Sequence, residues 1–98
     1  MDAKQRVTIT RSLRGWSVHT ETYWGDDMKP ANTFQGANTL AWALWQALDG
    51  DYITEVLGIT VKGAPVSFRD ALEVIEQAFT GTQLKYRLPH YRNLLKGA

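Results

Sequence analysis

The sequence contains no cysteine, and its 98 residues include two histidines and three prolines. Without cysteine the chain forms no disulfide and offers no thiolate metal ligand and no cysteine nucleophile, which fits a reducing compartment. No apolar run approaches the roughly 18 residues needed to cross a bilayer, and no signal-like apolar segment precedes the first predicted strand. We therefore expect a cytoplasmic protein with no membrane-bound part.

Recognisable catalytic motifs are also lacking. His19 and His90 have neither an adjacent nucleophile nor the spacing of zinc ligands. The acidic clusters Asp26-Asp27 and Asp49-Gly50-Asp51 are more typical of turns and helix ends than of ion sites. No glycine-rich loop is followed by the lysine of a phosphate-binding motif. We predict no enzyme, no metal and no cofactor, unless a cleft gathers Asp26, Asp27 and His19 around an ion.

Charge is distributed unevenly along the chain. Residues 1–82 carry seven Lys or Arg and all ten acids, whereas residues 83–98 carry four basic residues and no acid. The tail interleaves these cations with aromatic rings, a combination that suits phosphates and stacked bases. An alternative is that its Leu and Tyr residues dock on the core while the cations stay solvated. The candidate nucleic-acid-binding residues are Lys85, Tyr86, Arg87, Tyr91, Arg92 and Lys96.

Alternating apolar residues near the start of the chain predict a β-hairpin. Val7 and Ile9 share one face of a strand over residues 6–12, and the alternation resumes over residues 16–24 after a turn that contains glycine. The apolar sides of the two strands should lie together beneath a helix. The opposite side, which carries His19, should face water.

A helix over residues 39–49 organises the first half of the chain. Asn38 or Thr39 can cap its first turn, and Gly50 can adopt the left-handed conformation that ends it. Trp42 projects away from the apolar stripe, so it is either covered by a later segment or displayed as an interface anchor. The stripe itself has helical spacing and consists of Leu40, Leu44, Ala47 and Leu48, with Ala41 beside it.

The second half of the chain predicts one strand and one helix. Residues 59–62 have the composition of a strand, residues 51–57 fit either a strand or a short helix, and residues 63–65 form a turn. Ser67 begins a capping-box pattern ahead of an amphipathic helix over residues 68–79.

These elements, with a short strand predicted at residues 32–35, give an α+β fold. We expect a three- or four-stranded antiparallel sheet with both helices packed on one face. Residues 1–82 would form this single domain, and residues 83–98 would form a basic, aromatic C-terminal arm.

Particular residues of the first half also match a known pattern. Gly15-Trp16-Ser17-Val18 opens the second strand, Gly36 precedes the helix, and the helix carries the pairs Thr39-Leu40, Ala43-Leu44 and Ala47-Leu48. With these features residues 6–50 resemble the β-β-β-α unit of HicB-type antitoxins. They are also similar to small α/β accessory proteins of phages, several anti-CRISPR proteins among them. The resemblance implies a compact, non-catalytic protein that works by occupying a surface.

We therefore expect a phage or mobile-element accessory protein that binds and blocks a host nucleic-acid-processing complex. The aromatic anchors for such a protein partner would be Trp42, Trp45, Tyr23 and Trp24. The alternative function is direct binding of RNA or single-stranded DNA through the tail, as in an antitoxin or regulator. The oligomeric state stays open, with a homodimer among the options, and no membrane partner is expected.

Overall fold

A computed structural model describes residues 2–50 and 52–79, together with His90 and Asn93. Its fold is α+β, as the sequence predicts. The elements, in chain order, are β1 (Ala3–Ser12), β2 (Gly15–Trp24), β3 (Ala31–Ala37), α1 (Leu40–Leu48), β4 (Ile53–Val61), β5 (Ala64–Val66) and α2 (Phe68–Ala78).

The five strands form one mixed sheet in the order β3-β2-β1-β4-β5. β1 pairs with β2, β2 with β3 and β4 with β5 in the antiparallel sense, but β1 and β4 are parallel. The prediction of a purely antiparallel sheet of three or four strands is therefore wrong. Parallel strands need a long crossover connection, and α1 lies in the segment that leads from β3 to β4.

The predicted hairpin is confirmed. Gly15 has a φ of 143°, which a side chain would resist, and Val7, Ile9 and Val18 are all buried. β1 begins at Ala3, three residues before the predicted start. The early part was missed because Gln5, a polar residue, occupies an inward position in the strand.

The first helix, Leu40–Leu48, is one residue shorter at each end than the predicted 39–49. The hydroxyl oxygen of Thr39 accepts a hydrogen bond from the backbone N–H of Trp42 at 3.1 Å, so Thr39 is the N-cap. Gly50 does not adopt the predicted left-handed conformation, and the helix ends at Leu48. A Cβ at position 50 would instead meet the ring of Tyr52, so a side chain there would displace that partly exposed ring.

The second half contains more strand than was predicted. Residues 53–57, which the sequence left open, belong to β4, and Asp51 lies outside the described residues. The chain then turns at Lys62 and Gly63, whose φ values of 54° and 81° suit a tight hairpin turn. Residues 64 and 65, predicted as part of that turn, begin β5 instead.

The second helix begins where the capping pattern predicts. The side chain of Ser67 accepts a hydrogen bond from the backbone N–H of Asp70 at 3.1 Å. Phe79, predicted as the last helical residue, is the C-cap.

Both helices pack on one face of the sheet, as predicted. α2 contributes Ala71, Leu72 and Ile75 to the same core that holds the inward residues of β1, β2 and β4 and the buried side of α1. The opposite face of the sheet is left without a helix among the described residues. Of the predicted basic arm, residues 83–98, the structure describes His90 and Asn93, both of which are helical.

Candidate functional site

The sheet face opposite the helices, here called the open face, carries the candidate site. Because directly paired residues project on the same side of a sheet, the strand register arranges its side chains in rows. One row crosses β1, β2 and β3 as Thr8, His19 and Phe34, and the next row as Thr10, Ser17 and Gly36.

Phe34 is the most prominent group on the open face. Its side chain is 75% exposed, and its ring stacks on the ring of His19 with centroids 4.4 Å apart and planes 5° from parallel. His19 is held in turn by Asn32, since the imidazole Nε2–H donates to the amide Oδ1 at 2.8 Å. The stack on His19 therefore orients an exposed aromatic ring.

A shallow groove lies beside this stacked pair. It has a volume of about 550 Å³ and is bounded on one side by Phe34 and His19. The small residues Ser17 and Gly36 line it as well, and nothing crowds the position where a Cβ on Gly36 would point. The groove can accept a side chain from a partner.

Charges of both signs lie on the open face to one side of the aromatic pair. Arg6 and Glu21 face each other across β1 and β2, and the Tyr23 hydroxyl donates to Glu21 Oε2 at 3.4 Å. Lys4 Nζ lies 3.8 Å from Glu55 Oε2, an exposed pair that contributes little to stability. The open face is therefore polar and mixed in charge around one apolar ring.

A second aromatic surface lies on the helical side. The ring of Phe79 contacts Trp42 and Trp45, with centroid separations of 5.8 and 5.0 Å. Trp42 remains 43% exposed and borders a cavity of about 280 Å³ that Arg14 and Asn38 also line. Trp42 is therefore partly covered by Phe79 and partly exposed. Each of the two alternatives given by the sequence, a covered ring or a displayed ring, describes part of its environment.

The four predicted aromatic anchors do not form one cluster. Trp42 and Trp45 share Phe79, whereas Trp24 packs on Tyr52 with centroids 5.0 Å apart, at the other end of β2 from the β1–β2 turn. Tyr23 projects on the open face with Glu21. The predicted set is thus divided among three places.

The residues that a metal cleft would need are not brought together. Asp26 and Asp27 lie exposed in the loop after β2, while His19 lies in the middle of that strand with Asn32. Among the described residues no group of three or more His, Asp or Glu is placed to hold a metal ion. In that same part of the chain, no helix has the length and apolar character to span a membrane.

The predicted nucleic-acid-binding residues of the tail, from Lys85 to Lys96, lie outside the described residues.

Phe34 was missed by the sequence reasoning, which followed the tryptophans. A signal was present, since Phe34 is the one large apolar residue in a strand otherwise composed of small and polar residues.

Comparison with known proteins gives no match. No protein-family model, curated protein or solved structure is significantly similar to the chain.

Proposed function

We propose that the protein is a non-catalytic binding protein that acts by occupying the surface of another protein through its open face. The observation that carries the proposal is the exposed ring of Phe34, held on His19. A large, rigid ring that is already oriented loses little conformational entropy when it binds, and such rings dominate the energetics of protein interfaces.

The surroundings of Phe34 also suit a protein partner. Non-obligate interfaces combine an apolar centre with polar groups at the edge, and here Arg6, Glu21 and Tyr23 lie in the two rows of the open face next to the row of Phe34. The groove beside Phe34 offers a recess for one partner side chain. Because Glu21 and Glu55 lie on the same face as the cations, the open face is poorly suited to a phosphate backbone.

The partner class comes from the sequence resemblance. The resemblance to small phage accessory proteins implies a partner in a host nucleic-acid-processing complex. The protein would block this complex in the cytoplasm by covering one of its functional surfaces. Tyr23 lies on the open face and joins its rim. Trp42, Trp45 and Trp24 stay predicted anchors for a second contact, since they lie away from Phe34.

A capture experiment with a matched variant tests the proposal. Full-length protein would be immobilised as wild type, Phe34→Ala and Met28→Ala, and the species retained from native host cells would be identified. Met28 is 91% exposed in the loop after β2, so its loss removes apolar surface outside the open face. We expect a subunit of a nucleic-acid-processing complex to bind the wild type and the Met28 variant.

The affinity of that subunit for the Phe34→Ala variant should fall by about 30-fold, the loss typical of an interface hot spot. Circular dichroism should show the three proteins equally folded. Equal affinity of wild type and Phe34→Ala for the captured subunit would contradict the proposal, as would capture of no such subunit.

A gel-shift experiment separates the proposal from the alternative function. Full-length protein would be mixed with single-stranded RNA and DNA at two salt concentrations, beside a chain that lacks residues 83–98. We expect no shift with either protein. A salt-sensitive shift that disappears with residues 83–98 would favour nucleic-acid binding through the tail instead.

A further inference from the structure

Among the described residues the outer edge of β3 is unprotected, and we infer that it pairs with β3 of a second copy of this chain. β3 is the terminal strand of the sheet, and no described residue pairs with its outer side. The two copies would be related by a twofold axis through Phe34, and their sheets would join into one. This inference does not rest on the proposed function, although Phe34 lies at the centre of both. The pairing is formed by the backbone of β3, and it is tested at side chains that point away from the open face.

The outward-facing backbone groups of β3 belong to Asn32, Phe34 and Gly36. In an antiparallel ladder, residue pairs that exchange hydrogen bonds alternate with pairs that do not. The bond from Gly25 N–H to the Asp2 carbonyl, 3.0 Å, fixes this alternation for β1 and β2, so the even-numbered residues of β2 bond to β3. Their partners in β3 are the odd-numbered residues, which leaves the even-numbered residues of β3 facing outward.

The two edges of the sheet differ in their protection. Sheet edges usually avoid pairing with other chains by being very short or by carrying proline or charged residues. At the other edge, β5 has three residues, contains Pro65 and pairs only with residues 59–61 of β4. The rest of β4 carries Glu55 and has two irregularities in its pairing with β1. β3 has seven residues, Ala31–Ala37, with no proline and no charge. This contrast marks the outer edge of β3 as the side that is built to accept a strand.

The sequence of β3 is suited to pairing with itself. An antiparallel twofold centred on Phe34 places Asn32 opposite Gly36 and Thr33 opposite Gln35, and every outward-facing group then meets another outward-facing group. The pairing would form roughly six backbone hydrogen bonds. It would also bring the two Phe34 rings side by side on the joined open face, where cross-strand aromatic pairs are favourable.

Paired charges at positions 33 and 35 test this register. Both side chains are exposed, and their positions in the ladder place them on the opposite side of β3 from Phe34. In Thr33→Lys/Gln35→Lys, each lysine faces a lysine of the other copy. In Thr33→Lys/Gln35→Glu, each lysine faces a glutamate, so the second variant is a matched control at the same two positions.

Sedimentation equilibrium of the full chain over a range of concentrations would measure the association. We expect the wild type to reach twice its 11.1 kDa chain mass. The Lys/Lys variant should raise the dimer dissociation constant by about tenfold, since like charges meet twice, and the Lys/Glu variant should restore dimerisation. A wild type that stays monomeric at all concentrations would overturn the inference, as would equal dissociation constants for the two variants.

Cross-linking provides a second measurement of the register. Because the chain has no cysteine, Thr33→Cys and Gln35→Cys each introduce a single thiol. Under oxidising conditions we expect a mixture of the two variants to form a disulfide-linked heterodimer, with far less cross-linking in either variant alone. Equal cross-linking in the separate samples would overturn the twofold centred on Phe34. Neither experiment alters Phe34, so a loss of dimer with unchanged partner binding would leave the proposed function intact.

Discussion

The side-chain amide of Gln5, in β1, donates a hydrogen bond to the main-chain carbonyl of Ala47, in the last turn of α1. Gln5 is 2% exposed, and the hydroxyl of Thr22 donates to its Oε1 at 3.4 Å. The last carbonyls of a helix have no partner within the helix, so a buried helix end needs a donor from elsewhere. Gln5 supplies that donor and joins the end of α1 to the sheet.

Gln5→Ala should therefore be strongly destabilising for a single change. The Ala47 carbonyl and the Thr22 hydroxyl would each lose a buried partner, and we expect the free energy of unfolding to fall by about 2–4 kcal/mol. Urea denaturation followed by circular dichroism measures this quantity.

Gln77→Ala is the control for that measurement. Gln77 is exposed on α2, and its replacement by alanine should change the free energy of unfolding by less than about 0.5 kcal/mol. Similar unfolding midpoints for the two variants would show that the Gln5 hydrogen bonds contribute little.

Gln5 also shows a limit of predicting the fold from local sequence patterns. Period-two alternation correctly predicted the hairpin, because Val7, Ile9 and Val18 are apolar and inward. The same rule assigns a polar residue to the solvent side. It therefore could not include Gln5, whose burial depends on a helix carbonyl 42 residues away in the chain.

The parallel pairing of β1 and β4 could not be predicted from the sequence for a similar reason. Local patterns identify a strand but not its partner, and Ile53, Val56 and Leu57 fit a helix as well as a strand. The pairing depends on where the crossover through α1 delivers the chain.

The candidate site was only partly predictable. The alternation placed His19 and Tyr23 on the outward side of β2, and the register confirms that they lie on the open face. Phe34 was passed over because a strand pattern does not reveal which face of β3 the helices leave uncovered. Ala31–Gly36 are all exposed, which only the packing of α1 and α2 could show.

Gly15→Ala should destabilise the fold through the turn between β1 and β2. Gly15 has a φ of 143°, and a Cβ there would collide with the carbonyl oxygen of Ala37, a backbone atom that cannot move aside easily. We expect a loss of at least about 2 kcal/mol, measured as a shift in the urea midpoint.

Gly25→Ala separates steric collision from backbone strain. Gly25 also has a positive φ, 55°, but a Cβ there would meet no atom within 4 Å. Its replacement should cost about 1 kcal/mol. If both glycine variants lose the same stability, the close approach of Ala37 is not what requires glycine at position 15.

Thr39→Ala tests which of two adjacent residues caps α1. The sequence allows Asn38 or Thr39, and the structure places the accepting oxygen on Thr39, 3.1 Å from the backbone nitrogen of Trp42. Loss of the cap should lower the free energy of unfolding by about 1 kcal/mol. Asn38→Ala should leave it within about 0.5 kcal/mol of wild type, and the reverse order would assign the cap to Asn38.

Trp42→Ala measures how far Trp42 belongs to the core. Its ring contacts Phe79 but is 43% exposed, so its truncation should cost about 1–2 kcal/mol, less than the 3–5 kcal/mol typical of a buried aromatic residue. Leu44→Ala, on the buried side of the same helix, should cost about 3–5 kcal/mol. Urea denaturation of both variants gives the comparison. A Trp42 loss equal to that of Leu44 would make Trp42 a core residue and remove it from the predicted anchors, because a ring whose burial stabilises the monomer is not available to a partner.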